Sequence, residues 1–147
     1  MSYEITNFSA GWIKQGVSRE QIVRLENELR KFEPIEIETT HRFADGVYAR
    51  EIFIPKGCLL TGKVHKTVHL NIISKGEITV WTEDGMKRLK APFSLVSKPG
   101  TKRVGFAHED TVWTTIHGTH ETDLAKLEAD LIEPEVIEYQ GEMQCLG

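Results

Sequence analysis

The residues best equipped for chemistry are histidines. His65 and His69 stand close together in GKVHKTVHLNIIS, and in an extended chain successive side chains point to opposite faces. Lys63, His65, Thr67, His69 and Asn71 then share one face, while Val64, Val68, Leu70 and Ile72 take the other. Two neutral imidazoles on one strand are reasonable ligands for zinc, iron, nickel or copper. A catalytic metal ordinarily takes three protein ligands and keeps an open position. His108 and His117, both on later segments, are the candidates for a third. The plain alternative is a sheet wetted on one side, whose polar face simply meets water.

The second informative stretch is SKPGTKRVGFAHEDTVWTTIHG. Pro99-Gly100 marks a turn, after which Lys102 and Arg103 point in nearly opposite directions. His108-Glu109-Asp110 reads as a polar turn before a strand on which Thr111, Trp113, Thr115 and His117 share a face. A tryptophan beside hydroxyls and an imidazole can stack on a planar ligand, or it can be an ordinary core aromatic.

The elements that must position these groups are mainly strands. From Ile35 the hydrophobic period is two: IEIET, VYAREIFI, GKVHKTVHLNIIS, EITVWT, MKRLKAPFSLVS and TVWTTIHG are broken by Lys56-Gly57, Lys75-Gly76, Asp84-Gly85 and Pro99-Gly100. Short strands closed by glycine or proline turns indicate a sandwich or barrel, not alternating βα units. A helix precedes them over 18–33. Ser18 and Gln21 have the spacing of a capping box. Ile22, Leu25, Leu29 and Phe32 recur at helical period before Pro34. A second amphipathic helix follows the strands, capped by Thr122 or Asp123 and carrying Leu124, Leu127, Leu131 and Ile132 up to Pro134. The tail offers Val136–Tyr139 as an edge strand. One domain over 1–147 is expected: the first helix, a barrel over 35–118, and a C-terminal helix and tail over 119–147.

Bulk properties narrow the function classes. A chain of 147 residues suits a single core. Net charge −4 and a pI near 5.9 argue against general nucleic-acid binding or attraction to anionic membranes. MSYEITNFSAGW lacks the basic and apolar regions of a signal peptide. No apolar run approaches the roughly 18 residues that cross a bilayer. Cys58 and Cys145 form no CxxC pair and are expected as reduced thiols in a cytoplasmic protein.

On these stretches the chain resembles the cupin superfamily, over about residues 47–117. The first cupin motif has two histidines separated by one residue, then a glutamate, then a glycine at a turn. Aligned on Gly76, its glutamate falls on His69, its second histidine on His65 and its first on Lys63. The second motif, PxG followed by a histidine, resembles Pro99-Gly100-Thr101-Lys102-Arg103, with Arg103 near the histidine position. The resemblance implies a mainly β fold: a small antiparallel cupin-type barrel (a double-stranded β-helix, or jelly roll) flanked by an N-terminal and a C-terminal amphipathic helix. More narrowly, HKTVHLNIISKGEITVWTEDG and PGTKRVGFAHEDTVWTTIHGT are similar to small cupin-like proteins of bacteriophages. That likeness implies a phage-derived protein acting in the host cytoplasm and implies no particular reaction.

Where a metal cupin converges imidazoles and a carboxylate, this alignment converges Lys63, His65, His69 and Arg103. Such a set repels a divalent cation and attracts a phosphate or carboxylate, which arginine holds with two donors. The favoured expectation is therefore a non-catalytic protein that binds a small anionic, nucleotide-like molecule, with Lys63, His65, His69, Arg103, His108 and Trp113 as the ligand-binding residues and no resident cofactor. In a phage setting it would sequester a host signalling or defence molecule. The alternatives are a metal-dependent oxygenase or sugar isomerase using a divalent transition metal on His65, His69 and His108 or His117, and a structural or assembly module. Self-association to a dimer or higher oligomer is expected in each case.

Overall fold

The computed structural model describes residues 2–4, 16–139 and 142–146. Among them a short β1 (Ser2–Glu4) precedes helix α1 (Arg19–Leu29). There follow β2 (Glu38–Ala44), β3 (Val47–Ile54), β4 (Cys58–Thr61), β5 (His69–Lys75), β6 (Glu77–Thr82), β7 (Gly85–Lys90), β8 (Phe93–Ser97), β9 (Val104–Ala107) and β10 (Thr111–Gly118). Helix α2 (Leu124–Leu131) and the strands β11 (Glu135–Tyr139) and β12 (Glu142–Leu146) come last.

Two five-stranded antiparallel sheets face each other, in the orders β1-β4-β9-β6-β7 and β2-β3-β10-β5-β8. The strands that neighbour one another are mostly distant in sequence, which is jelly-roll connectivity. The expected mainly β fold with a helix at each end is thus observed as two apposed sheets. The expected edge strand in the tail pairs with a later segment instead, β11 with β12.

Helix α1 begins as its sequence dictates. Gln21 N–H donates to Ser18 Oγ at 3.1 Å and Ser18 N–H donates to Gln21 Oε1 at 2.8 Å, closing the capping box. The helix stops at Leu29, before the expected limit, where Lys31 and Phe32 N–H turn back onto the Glu28 and Leu29 carbonyls in a tighter last turn. Phe32 lies beyond it and is exposed. Ile22 and Leu29 pack on Leu59, Trp81 and Val104 of the first sheet. This explains why β6 has no polar face: Ile78 and Val80 face the other sheet, while Trp81 lies under the helix. Lys102 Nζ lies 2.7 Å from Glu26 Oε1, and both side chains are nearly fully buried. Burying either charge alone would be costly, so this pair fixes where α1 sits.

Between the sheets Ile54, Cys58, Ile73, Ile78, Leu89, Ala107 and Trp113 form the main core. Gly76 makes the turn from β5 to β6 at φ 91°, where a Cβ would lie 2.3 Å from the Asp110 carbonyl oxygen. Only glycine fits there. Helix α2, capped by Asp123 accepting from Lys126 N–H at 3.0 Å, lays Leu127 and Leu131 against Tyr48 of β3. That contact closes one end of the inter-sheet space and defines a cavity.

Candidate functional site

The cavity has a volume of about 500 Å³ and is lined by α2 and by the inner faces of both sheets. Three strands supply its polar wall by simple alternation. Along β10 the side chains of Thr111, Trp113, Thr115 and His117 turn inward, as the sequence pattern predicts. On β5, His69 and Asn71 are buried while Leu70 and Ile72 are exposed. On β3, Tyr48 and Arg50 line the same cavity. The register sets Tyr48 opposite His117, Arg50 opposite Thr115, and Asn71 opposite Thr115 on the other side.

His65 arrives differently. The expected strand over Gly62–Ser74 exists only from His69 onward, and His65 sits on the connection before it. Its backbone forms an isolated antiparallel bridge with Ile132, just past α2. Lys66 N–H donates to the Leu131 carbonyl at 2.7 Å and Glu133 N–H to the Val64 carbonyl at 2.8 Å. The C-terminal helix therefore holds this connection, and with it the imidazole.

His65, His69 and His117 converge. Their candidate ligand atoms all lie within 4.8 Å of one another. The His65 ring lies 4.2 Å from that of His69 and 5.0 Å from that of His117, centroid to centroid. His65 Nδ1 and His117 Nε2 are 3.1 Å apart and share a hydrogen. His69 Nδ1 donates to the Thr67 carbonyl at 2.9 Å, which leaves Nε2 as the free acceptor of a neutral ring. His117 Nδ1 is buried and has no hydrogen-bond partner among the described residues. Burial and then the neighbouring His69, His117, Arg50 and Arg103 push the His65 imidazole down to about 3. Burial and His69 hold His117 down at about 4. Burial also lowers His69, against the pull of the Thr67 carbonyl. All three rings are neutral near pH 7, the state in which imidazole is a ligand.

A divalent transition metal fits this donor set. Metal–nitrogen distances of about 2.0–2.1 Å would require the three nitrogens to approach one another more closely than they do here. Three imidazoles with no carboxylate or thiolate among the described residues of the cluster suit zinc, iron, cobalt, nickel or copper. The hydrogen bond from His69 to a backbone carbonyl is the outer support such ligands ordinarily have.

A second network lies beside the imidazoles. Asn71 Oδ1 accepts from Trp113 Nε1 at 3.0 Å and from Thr115 Oγ1 at 3.3 Å, and Asn71 Nδ2 donates to Ser97 Oγ at 2.6 Å. Ser97 Oγ also accepts from Arg103 Nη2. This chain of contacts fixes Arg103 at the cavity wall. Tyr48 O–H is 2.7 Å from His41 Nδ1, and the phenol stacks between Phe43 and His117. Burial raises the Tyr48 phenol, with Arg50 acting the other way, so it remains protonated.

Of the residues expected at the site, Lys63, His65, His69, Arg103 and Trp113 all line the cavity. Lys63 does so with its charge neutralised: Nζ is 2.6 Å from Glu128 Oε1 of α2. His108 lies elsewhere. Ala107 packs in the core between the sheets, so its neighbour His108 turns to the other face, 2.6 Å from Thr79 Oγ1 and edge-on to Phe106. His117 occupies the third position of the imidazole cluster. Its alternation with Trp113 and Thr115 was the readable signal. Arg50 was not anticipated, although its inward phase with Tyr48, Ile52 and Ile54 is visible in VYAREIFI. Trp81, a further stacking candidate by residue type, is buried beneath α1.

No protein-family model matches the chain, and no curated protein matches it. Solved structures do. A protein of Salmonella typhimurium LT2, provisionally named ethanolamine utilization protein Q, aligns with TM-score 0.51 and 12% identity over 60% of this chain and 74% of that one. An RmlC-like cupin of Shewanella frigidimarina NCIMB 400 aligns with TM-score 0.48 and 18% identity over 60% and 86%. The cupin domain of Cnp3 from Schizosaccharomyces pombe aligns with TM-score 0.48 and 14% identity over 65% and 74%. The likeness is one of fold. Together with the two apposed sheets, the first of these alignments makes the architecture a jelly roll, here with a helix before and a helix after it. No helix among the described residues is long and apolar enough to cross a membrane.

Proposed function

We propose that the protein holds one divalent transition-metal ion through His65, His69 and His117, at the inner end of a cavity that admits a small molecule, and acts on that molecule as a metal-dependent enzyme. The observation that carries this is the convergence of three neutral imidazoles whose ligand atoms lie within 4.8 Å. The bound metal would supply Lewis acidity or an activated water.

The chain's own contributions are separate from the ion. Leu127 and Leu131 of α2 shield the Tyr48 side of the cavity from solvent. The Asn71–Ser97–Arg103 network orients a cation at its wall. The Tyr48 hydroxyl, hydrogen-bonded to His41, is a neutral acid with a base beside it. This reading departs from the cationic cluster expected of Lys63, His65, His69 and Arg103. Two of those groups are neutral and one is paired, which removes most of the repulsion that argued against a metal.

Metal titration of chelator-treated protein tests it. Cobalt or zinc should bind with one equivalent per chain. His65→Ala, His69→Ala and His117→Ala should each weaken binding by at least the roughly 10–100-fold that loss of an outer-shell partner costs. His108→Ala should bind as wild type. No saturable binding by the wild-type protein, or equal binding by the three alanine variants, would overturn the proposal.

A further inference from the structure

Arg50 and Arg103 both line the cavity and both act electrostatically on His65. Among the described residues neither has a carboxylate partner. Elsewhere the fold pairs the buried cation Lys102 with Glu26, and the exposed Lys63 of the cavity lining with Glu128. Arg103 is half-buried and uses one of a guanidinium's five N–H donors on Ser97. Glu128 also lines the cavity and acts on Arg50, but its carboxylate is already paired with Lys63, so the two guanidiniums beside the proposed metal site leave an excess of positive charge. The missing anion must come with the ligand.

The rest of the wall says what that anion is attached to. Ile52, Leu60, Ile78 and Val80 line the same cavity. Gly105 keeps it open, since a Cβ there would lie 3.1 Å from Ile78 Cδ1 and 3.2 Å from Leu60 Cδ2. A free inorganic anion would satisfy the arginines and leave this apolar surface facing water.

We propose that the cavity takes a small organic acid, its carboxylate gripped by Arg50 and Arg103 and its apolar body laid along Ile52, Leu60, Ile78 and Val80. This rests on reading the cavity as the functional site and names the substrate class that enters it. The carboxylate also balances the charge of the ion, so acid and metal should each tighten the other's binding, by the same factor. A guanidinium holds a carboxylate by bidentate contact, which lysine does not reproduce.

Calorimetry with hexanoate and benzoate, their neutral counterparts hexanamide and benzamide, and inorganic phosphate provides the test, on chelator-treated and on zinc-loaded protein. Each carboxylate should bind at least roughly tenfold tighter than its amide, and Arg50→Gln and Arg103→Gln should each lose at least roughly tenfold in carboxylate affinity. Zinc should still bind both variants in the absence of acid. Arg50→Lys and Arg103→Lys keep the charge without the fork and should lose part of the affinity, which keeps the test open if a glutamine variant does not fold. Amides binding as well as acids, phosphate binding where both acids fail, or glutamine variants binding acids as wild type would each overturn the proposal. Zinc binding without acid binding would remove this inference and leave the metal reading standing. Acid binding without zinc binding would do the reverse.

Discussion

The two ends of the space between the sheets are built from the same three strands and have opposite character. On β5 the inward positions run Ile73, Asn71, His69; on β10 they run Trp113, Thr115, His117; on β3 they run Ile54, Ile52, Arg50, Tyr48. Register aligns the changes, since Ile73 lies opposite Trp113, Asn71 opposite Thr115, and Tyr48 opposite His117. One end is a packed apolar core with Ile54 and Ile73 almost fully buried. The other is nearly as withdrawn from solvent, with His69 5%, Asn71 2% and His117 3% exposed, yet it is polar. Burial is therefore not what separates them. The apolar end stabilises the fold by burial; the polar end devotes its burial to hydrogen-bonded groups and converging imidazoles.

That contrast makes graded predictions. Ile73→Ala at the packed end should cost about 2–5 kcal/mol, the usual cavity penalty, in chemical denaturation. Asn71→Ala should cost about 1–3 kcal/mol, because it strips partners from Trp113 Nε1 and Ser97 at once. A loss as large as that of Ile73→Ala would mean the Asn71 network is a structural keystone and not a site support.

Acid should destabilise the metal-free protein in part through the polar end. The His65 and His117 rings titrate at about 3 and about 4 when folded. They titrate near 6.5 when unfolded. The unfolded chain then binds more protons below pH 6.5, so stability falls as pH drops through that value and levels out only near pH 3–4. Each histidine contributes a slope of at most about 1.4 kcal/mol per pH unit. Denaturation midpoints at pH 7 and pH 5 check this, and His117→Leu should flatten the dependence.

The smallest effects belong to the outer face of the second sheet. Leu70, Ile72 and Val96 are exposed there. Leu70→Lys and Val96→Lys should change the folding free energy of a chain by no more than about 0.5 kcal/mol. If the expected self-association uses this face, the same changes should shift a dimer toward monomer in light scattering. A wild-type monomer would contradict that expectation.

The fold was legible because its signals are local. Alternation fixed which residues of β10 face inward, the capping box marked the start of α1, and Asp123 the start of α2. The site was legible only where one strand carried it. His69 and Asn71 followed from alternation on β5, whereas His65 reaches the cluster through a loop pinned by α2, a long-range contact with no periodic trace. The choice between His108 and His117 turned on strand phase across the short connection after Ala107, and a one-residue difference reverses the face. The Lys63–Glu128 and Lys102–Glu26 pairs, which decide which cations remain free, join residues far apart in the chain.

Thermal unfolding of wild type and His117→Leu, each with and without zinc, tests the central claim most directly. The leucine removes a buried nitrogen that has no partner among the described residues, keeps an apolar body and deprives His65 Nδ1 of one hydrogen bond, so the metal-free variant should lose no more than about 1–3 kcal/mol. Zinc should raise the midpoint of wild type in a concentration-dependent way and leave that of the variant unchanged. A metal-free variant much less stable than wild type, together with a wild type indifferent to zinc, would show that the imidazole cluster serves the fold and not a metal.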